Sequence, residues 1–331
     1  VKEILVIQTA FIGDVVLALP VAQALHAQHP QARIHMLVRG GNEALLHNHP
    51  AIHRVWVWDK RKDKYRNLLH LIGQLRRTRF DLVVNCQRFF STGFVTACLR
   101  ATHKTGFANA TLAAFYTEKH PHTVGTIADA DYPHEVDRNL GLIQNFVSPG
   151  RVLPKLYPSP ADAEKVRAIV GAVKKYIVLA PASVWFTKQW PAEKWAVLIA
   201  LIPKDYTKFL VGAPTDAALC EGLAADRTDV VNLAGKLSFL QTVALMQGAR
   251  RTFANDSAPL HFATAAGCPT TALFLNTVPQ FGFGPQAPGS TVVEVPNLPC
   301  RPCNLHGLPA CPQGHFNCAQ HIDPLVVVAT L

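Results

Sequence analysis

Residues 178–191 read V-L-A-P-A-S-V-W-F-T-K-Q-W-P. The apolar run Tyr176–Ala180 that leads into them has the length and composition of a buried strand. Pro191 marks a helix start, where its missing N–H costs nothing. Between strand and helix lies a loop carrying Ser183, Thr187 and Lys188. Hydroxyl donors, one cation and the positive end of a helix dipole converge there, an arrangement that suits a phosphate. The same residues also read as an ordinary strand–helix connection with a solvated lysine, and the loop alone does not decide between the two.

Strand-then-helix alternation extends from this segment in both directions. Toward the N-terminus, strands are expected at 4–7, 34–38, 55–58 and 82–85, with an amphipathic helix over 15–26. Toward the C-terminus they are expected at 208–211, 230–233, 252–254 and Thr270–Phe274. Helices fall at Ala192–Leu201, 215–225, 240–247 and 259–266. Short continuous apolar strands alternating with helices imply parallel sheets covered on both faces. The Pro- and Gly-rich stretch S-P-G-R-V-L-P-K-L-Y-P-S-P at 148–160 reads as a linker. Residues 2–6 (K-E-I-L-V) and 174–178 (K-K-Y-I-V) each launch a strand, an irregular loop and a helix. The expectation is two doubly wound domains, 1–153 and 154–331, with ligands outside the C-terminal strand ends in a cleft between them.

With 331 residues and 49% hydrophobic content, the chain is large enough for two cores. A charged content of only 16% argues against extensive disorder. No apolar run approaches the roughly 18 residues of a transmembrane helix, and no signal peptide is evident at the N-terminus. A cytoplasmic location is therefore expected. The net charge of +10 favours anionic partners. Basic clusters at 60–66 (K-R-K-D-K-Y-R) and 76–79 (R-R-T-R) bracket the apolar helix pattern Leu68, Leu69, Leu71, Ile72, Leu75. They read either as a solvated helix face or as a face that meets an anionic membrane or acceptor. No zinc-finger, RNA-recognition or helix–turn–helix signature is present, which argues against nucleic acid.

Three further segments carry chemistry. In T-A-F-I-G-D-V-V-L-A-L-P (9–20), Gly13 allows a tight turn and Asp14 stands where a helix N-cap is expected. Asp14 reads as a cap or as a carboxylate facing the cleft; a helix N-terminus keeps it ionised but makes it a weaker base. In A-N-D-S-A-P-L-H (254–261), Asp256 or Ser257 is expected to cap a helix whose free N–H groups form an anion site, with His261 near the same end. In L-V-G-A-P-T-D (210–216), Asp216 follows a strand end, where an acid can take a ribose hydroxyl pair or simply begin a helix.

Together these segments resemble the heptosyltransferase family, whose members add heptose from a nucleotide sugar to the lipopolysaccharide inner core. The matching pieces are Ile12-Gly13-Asp14-Val15 with Pro20, Thr187-Lys188-Gln189-Trp190-Pro191, and Asn255-Asp256-Ser257 with His261. The cysteine-bearing C-terminal stretch points to the second-heptose type. The resemblance implies a GT-B fold of two facing Rossmann-like domains, acceptor on the N-terminal one and nucleotide sugar on the C-terminal one. It implies transfer from ADP-heptose to a lipid A-bearing core acceptor, with inversion by direct displacement and no catalytic metal, at the cytoplasmic face of the inner membrane. Carried over by position, Asp14 is the general base, with Gly13 and Gln8 in the acceptor-side loop. Lys188, with Ser183 and Thr187, grips the diphosphate; Asp216 holds the ribose and Leu237 packs near the adenine. Asp256, Ser257, Ala258 and His261 bind the sugar-phosphate end. The resemblance also implies a last helix, about 320–331, that packs back on the N-terminal domain. Departures are Gln8, where family members often have Arg, and Ala182 and Ala258, where they often have Gly. Each alanine puts a methyl group where backbone should approach phosphate.

Cys86, Cys98, Cys220 and Cys268 sit among apolar residues and read as buried thiols. Cys300, Cys303, Cys311 and Cys318 cluster in a Pro-, Gly- and His-rich loop, where a structural metal, disulfides and free thiols are all open readings; His306, His315 and His321 could replace a thiolate in a metal site. Competing functions are a transferase for another nucleotide sugar or glycan and a non-catalytic nucleotide-binding protein. An NAD oxidoreductase would need a G-x-G-x-x-G after a strand, which is missing.

Overall fold

The structure, a computed structural model, describes residues 2–148 and 150–331. Pro149, within the expected linker, and Val1 lie outside the described residues. The chain divides into two compact units. The first takes in the chain up to Val124 together with Pro133–Tyr157; the second takes in Gly125–Tyr132 and Pro158–Leu331.

In the first unit, strands β1 (Glu3–Ile7), β2 (Arg33–Arg39), β3 (Arg54–Trp58), β4 (Phe80–Asn85), β5 (Ala101–Phe107) and β6 (Glu118–His120) alternate with helices α1 (Ile12–Gln28), α2 (Lys64–Leu75) and α3 (Phe90–Cys98); α4 (Glu135–Gly141) follows. The sheet is parallel throughout, in the order β3-β2-β1-β4-β5-β6. Both faces are covered, so the inner strands need apolar residues on every side chain: Ile4 to Ile7 and Leu82 to Val84 are fully buried. On α2, Leu68, Leu71, Ile72 and Leu75 pack against Trp58 and Phe80. Leu69, expected in that stripe, points outward instead and is 60% exposed, because its position falls off the buried helical face.

The second unit opens with α5 (Pro160–Val170). Ser159 caps it, its hydroxyl accepting from the Asp162 N–H while the Asp162 carboxylate accepts from the Ser159 N–H. Then follow β7 (Tyr176–Ala180), α6 (Ala192–Leu201), β8 (Thr207–Leu210), α7 (Ala217–Ala224), β9 (Val230–Asn232), α8 (Phe239–Gln247), β10 (Thr252–Asn255), α9 (Ala258–Ala266), β11 (Thr270–Phe274) and β12 (Thr291–Glu294). The sheet order is β12-β11-β10-β7-β8-β9, again all parallel. Counted within its own unit, each sheet runs 3-2-1-4-5-6, the Rossmann order, with its reversal between the first and fourth strands.

The C-terminal segment is grouped with the second unit. After α10 (Asn317–Gln320), helix α11 (Pro324–Val328) lies on α6. Its apolar side chains find their partners there: Ile322 and Val327 join the core of Trp190, Trp195 and Leu198. The Trp190 indole donates to the Ala319 carbonyl at 3.2 Å, and the Lys194 ammonium reaches the Gln320 carbonyl at 2.9 Å. Of the scattered cysteines, Cys86, Cys220 and Cys268 are buried as expected, whereas Cys98, at the exposed end of α3, is only partly so.

The loops after β8 and β9 meet at Gly235. Its φ is +73°, its N–H donates to the Gly212 carbonyl at 3.0 Å, and a Cβ there would lie 2.8 Å from the Pro214 Cα. Both the backbone and the space require glycine. Gly235→Ala should cost about 1–3 kcal/mol, read as a lower urea midpoint at unchanged m-value.

Candidate functional site

Ligands bind to such sheets where the strand order reverses, outside the carboxyl ends of the strands. In the first unit that point lies between β1 and β4, flanked by the loops 8–11 and 86–89. A buried amide ties them: Gln87 Oε1 accepts from the Thr9 N–H at 3.0 Å and from the Thr9 hydroxyl at 2.8 Å. The Asn85 side chain in turn accepts from the Gln87 N–H at 3.0 Å. Gln8 is buried, and its side-chain oxygen accepts from the Ala10 N–H. Gly13 is buried inside α1.

Asp14 is not the N-cap. The helix begins at Ile12 with Phe11 as N-cap, and Asp14 occupies the third helical position. Its carboxylate reaches back to accept from the Phe11 N–H at 3.1 Å, meeting a free donor of the first turn from inside the helix. Lys60 closes this loop from the β3 side. Its ammonium donates to the Thr9 carbonyl at 2.7 Å and to the Thr9 hydroxyl at 3.2 Å, and it lies over the Trp58 ring. Burial, with Arg39 and Lys64 nearby, lowers its pKa to about 8.

In the second unit the reversal lies between β7 and β10, so the loop 181–190 faces the start of α9. Another buried amide spans it: Asn255 donates to the Pro181 carbonyl at 2.8 Å and accepts from the Trp190 N–H at 3.2 Å. Within the loop, the Gln189 amide donates to the Ser183 carbonyl at 2.6 Å. Lys188 then meets Asp256 at 2.6 Å, both side chains largely buried. The Thr277 hydroxyl donates to the same carboxylate oxygen at 2.7 Å. Burial alone would push the Asp256 carboxyl up; the Lys188 ammonium, the hydrogen bonds from Lys188 and Thr277, and nearby His261 together hold it below its ordinary value.

Neither expected cap is made at α9. Ser257 is the N-cap residue, but its hydroxyl donates to the Asn255 carbonyl at 3.3 Å, and the Asp256 carboxylate turns to Lys188. The ion pair outcompetes the cap because Lys188 offers a full charge where the helix end offers a partial one. Ala258 is the first helical residue, and His261 is buried in the first turn. Thr187 is buried, and its hydroxyl is taken by Leu308, donating to that carbonyl at 3.2 Å and accepting from that N–H at 2.8 Å. Asp216 and Leu237 lie in the two loops joined at Gly235. The Asp216 carboxylate accepts from the Ala213 N–H at 2.7 Å and ends the short 3-10 turn Pro214–Asp216. Gln8, Gly13 and Asp14 thus belong to the first unit and all other expected site residues to the second.

Four partners were given no role in the sequence reading: Gln87, Asn255, Thr277 and Arg301. The first three share one signal, a polar residue at or just past the end of a buried strand. Arg301 is masked by its cysteine neighbours. Its buried guanidinium donates to the carbonyls of Val295 at 2.7 Å and Thr277 at 2.6 Å and to Glu294 at 2.7 Å. This guanidinium ties the start of the cysteine loop to the strand ends beside it. Cys300, Cys303, Cys311 and Cys318 are free thiols. Among the described residues no group of three or more His, Cys, Asp or Glu side chains is arranged to hold a metal ion. Burial, reinforced by the neighbouring cysteines, pushes the Cys303 thiol up; burial likewise takes Cys318 to about 12.

A glycosyltransferase family 9 (heptosyltransferase) model matches residues 68–308. Lipopolysaccharide heptosyltransferase 3 of Escherichia coli is 28% identical over 279 residues, covering 80% of this chain and 81% of that protein. Among solved structures, E. coli ADP-heptose lipopolysaccharide heptosyltransferase II superposes with a TM-score of 0.79 at 21% identity, covering 99% of this chain and 97% of that one. E. coli heptosyltransferase WaaC with ADP superposes with a TM-score of 0.73 at 21% identity, covering 93% and 96%. The family match makes the chain a glycosyltransferase. The chain belongs to glycosyltransferase family 9.

The Lys188–Asp256 pair generates a stability prediction. Asp256 titrates lower in the folded than in the unfolded chain, so its contribution is fully present above the ordinary value of 3.8 and is lost as pH falls through the folded value. Thr277→Val should lower stability by about 1–3 kcal/mol at pH 7, with the deficit shrinking in urea titrations taken toward pH 2. Lys188→Ala strands a buried carboxylate and should cost about 3–5 kcal/mol at pH 7.

Proposed function

We propose that this enzyme transfers heptose from ADP-heptose to an inner-core sugar of a lipid A-bearing acceptor, with inversion by direct displacement. The observation that carries the reading is the Lys188–Asp256 pair, set at the strand-order reversal of the second unit and clamped there by Asn255. Anionic diphosphate leaving groups call for a fixed cation, and Asp256 fixes this one. An ammonium has three N–H donors, so the pair leaves donor capacity for the diphosphate. The comparisons support the donor: one solved relative, E. coli heptosyltransferase WaaC, is described both with ADP and with ADP-2-deoxy-2-fluoro heptose.

In this mechanism Asp14 takes the proton of the acceptor hydroxyl as its oxygen attacks the anomeric carbon. The bond from that carbon to the diphosphate oxygen breaks, and its electron pair leaves with ADP. Lys188 meets the developing negative charge, which serves the role a metal plays in other transferases. Ser183, Ser257, Ala258 and His261 line the phosphate and sugar end of the donor, Thr187 shapes the loop, and Asp216 with Leu237 takes ribose and adenine. Gln8, Gly13, Lys60 and Arg39 form the acceptor side. No helix among the described residues is long and apolar enough to cross a membrane. The lipid-borne acceptor is therefore proposed to be met at the anionic cytoplasmic face of the inner membrane by a peripheral enzyme, helped by the net charge of +10.

A thermal-shift panel of ADP, UDP, GDP, CMP and NAD tests the donor. At about 100 times its dissociation constant, ADP should add about 2.7 kcal/mol of stability; a selective response to UDP or GDP would overturn the heptose reading. In a transfer assay with ADP-heptose, Asp14→Ala should abolish turnover while ADP affinity stays within about threefold, as expected for a group used only in the chemical step. Near-normal turnover would remove Asp14 as the base.

A further inference from the structure

Thr277 enters the second unit's site from a third strand. Lys188 follows β7 and Asp256 follows β10, whereas Thr277 stands three residues past the end of β11, on the side of β10 away from β7. Its hydroxyl donates to Asp256 Oδ2 at 2.7 Å, and the Lys188 ammonium reaches that same oxygen at 2.6 Å. Thr277 and Asp256 are buried, and the Lys188 side chain nearly so. A carboxylate that offered this oxygen to Lys188 alone would be free to turn about its side-chain bonds and follow the ammonium. A second donor, arriving from another strand, fixes where the oxygen stands and occupies one of its lone pairs.

The backbone that carries Thr277 is itself braced. One nitrogen of Arg301, Nη2, donates to the carbonyls of Phe274 at 3.3 Å and Thr277 at 2.6 Å, spanning the segment from the strand end to Thr277. Between them the Asn276 carbonyl accepts from the Cys303 N–H at 3.0 Å, and the Asn276 amide donates to the His306 carbonyl at 3.0 Å. Valine has nearly the volume of threonine, so filling space needs no hydroxyl here; what the bracing aims is the O–H.

We propose that Thr277 is a positioning residue for the transfer reaction, holding the Lys188 ammonium, through Asp256, where the departing diphosphate oxygen gains charge. The proposal rests on the role given to Lys188 above. Charge on the diphosphate grows as its bond to the anomeric carbon breaks, so a displaced ammonium costs more in the transition state than in the bound donor. Loss of the hydroxyl therefore acts on kcat more than on KM.

The test pairs heptose transfer with urea unfolding of the full chain. Thr277→Val should lower kcat about tenfold or more, with KM for ADP-heptose within about threefold of the wild type. Thr277→Ser, which restores the hydroxyl, should bring kcat back to within about threefold. An ADP thermal shift of wild-type size certifies the fold of each variant. Wild-type kcat in Thr277→Val, or equal damage in Thr277→Ser, would overturn the proposal in favour of packing alone. A double-mutant cycle of Thr277→Val with Lys188→Met reads the same link without turnover. The two side chains share Asp256 as their contact, so the unfolding constant of the double variant should depart about fivefold or more from the value for independent sites. Additive behaviour would overturn the link. If another nucleotide sugar proves to be the donor, the heptose reading falls, and the kcat comparison made with that donor decides the role of Thr277 by the same numbers.

Discussion

At its reversal each sheet has its loops tied by one buried amide side chain. Gln87 in the first unit and Asn255 in the second join the loop after the first strand to the segment after the fourth. An amide suits the task because it carries both donor and acceptor at the end of a short stem, and a buried loop can leave neither backbone group unpaired. The two clamps are not identical. Asn255 bonds the loop at both ends, Pro181 and Trp190, whereas Gln87 bonds a single residue, Thr9, and Lys60 supplies the second tie. The amide tie on the loop after β7 is thereby complete at both ends, whereas the loop after β1 takes its second tie from a cation.

From Asn255 the second unit builds outward through a chain of contacts. Lys188 pairs with Asp256, Asp256 accepts from the Thr277 hydroxyl, and the Thr277 carbonyl accepts from Arg301. Positive charge thus stands at both ends with one carboxylate between them. The order explains why a buried acid survives without helix capping. Thr187 adds a parallel tie to Leu308. The cysteine loop and the lysine loop therefore shift together or not at all.

Much of this was legible in the sequence. Strands Tyr176–Ala180 and Thr270–Phe274 and helix Ala192–Leu201 match their expected limits, because an unbroken apolar run or a proline start leaves little freedom. Strand β5 was missed: A-T-H-K-T-G-F is half exposed and lacks the apolar run of a central strand. The three-residue β6 and the part-exposed β12 were missed for the same reason. Asp14 was read as the N-cap, but the helix starts earlier, at Ile12, and the carboxylate bonds back to the N–H of the true cap residue, Phe11. Lys188 and Asp256 were both named, but not their bond. Pairing between residues 68 positions apart has no local signature, and a helix-start acid has two charged suitors that only the fold arbitrates.

The chain changes units three times, after Val124, after Tyr132 and after Tyr157. The short stretch Gly125–Tyr132 is lent by the first half of the sequence to the second unit, where bare Gly125 lies against the Gln280 carbonyl. A recombination event at the linker would move the second unit without this piece and leave the first unit with a stray loop. The two halves share a strand order but are not interchangeable cassettes. Exchange of the second unit between relatives built this way would require two coordinated crossovers.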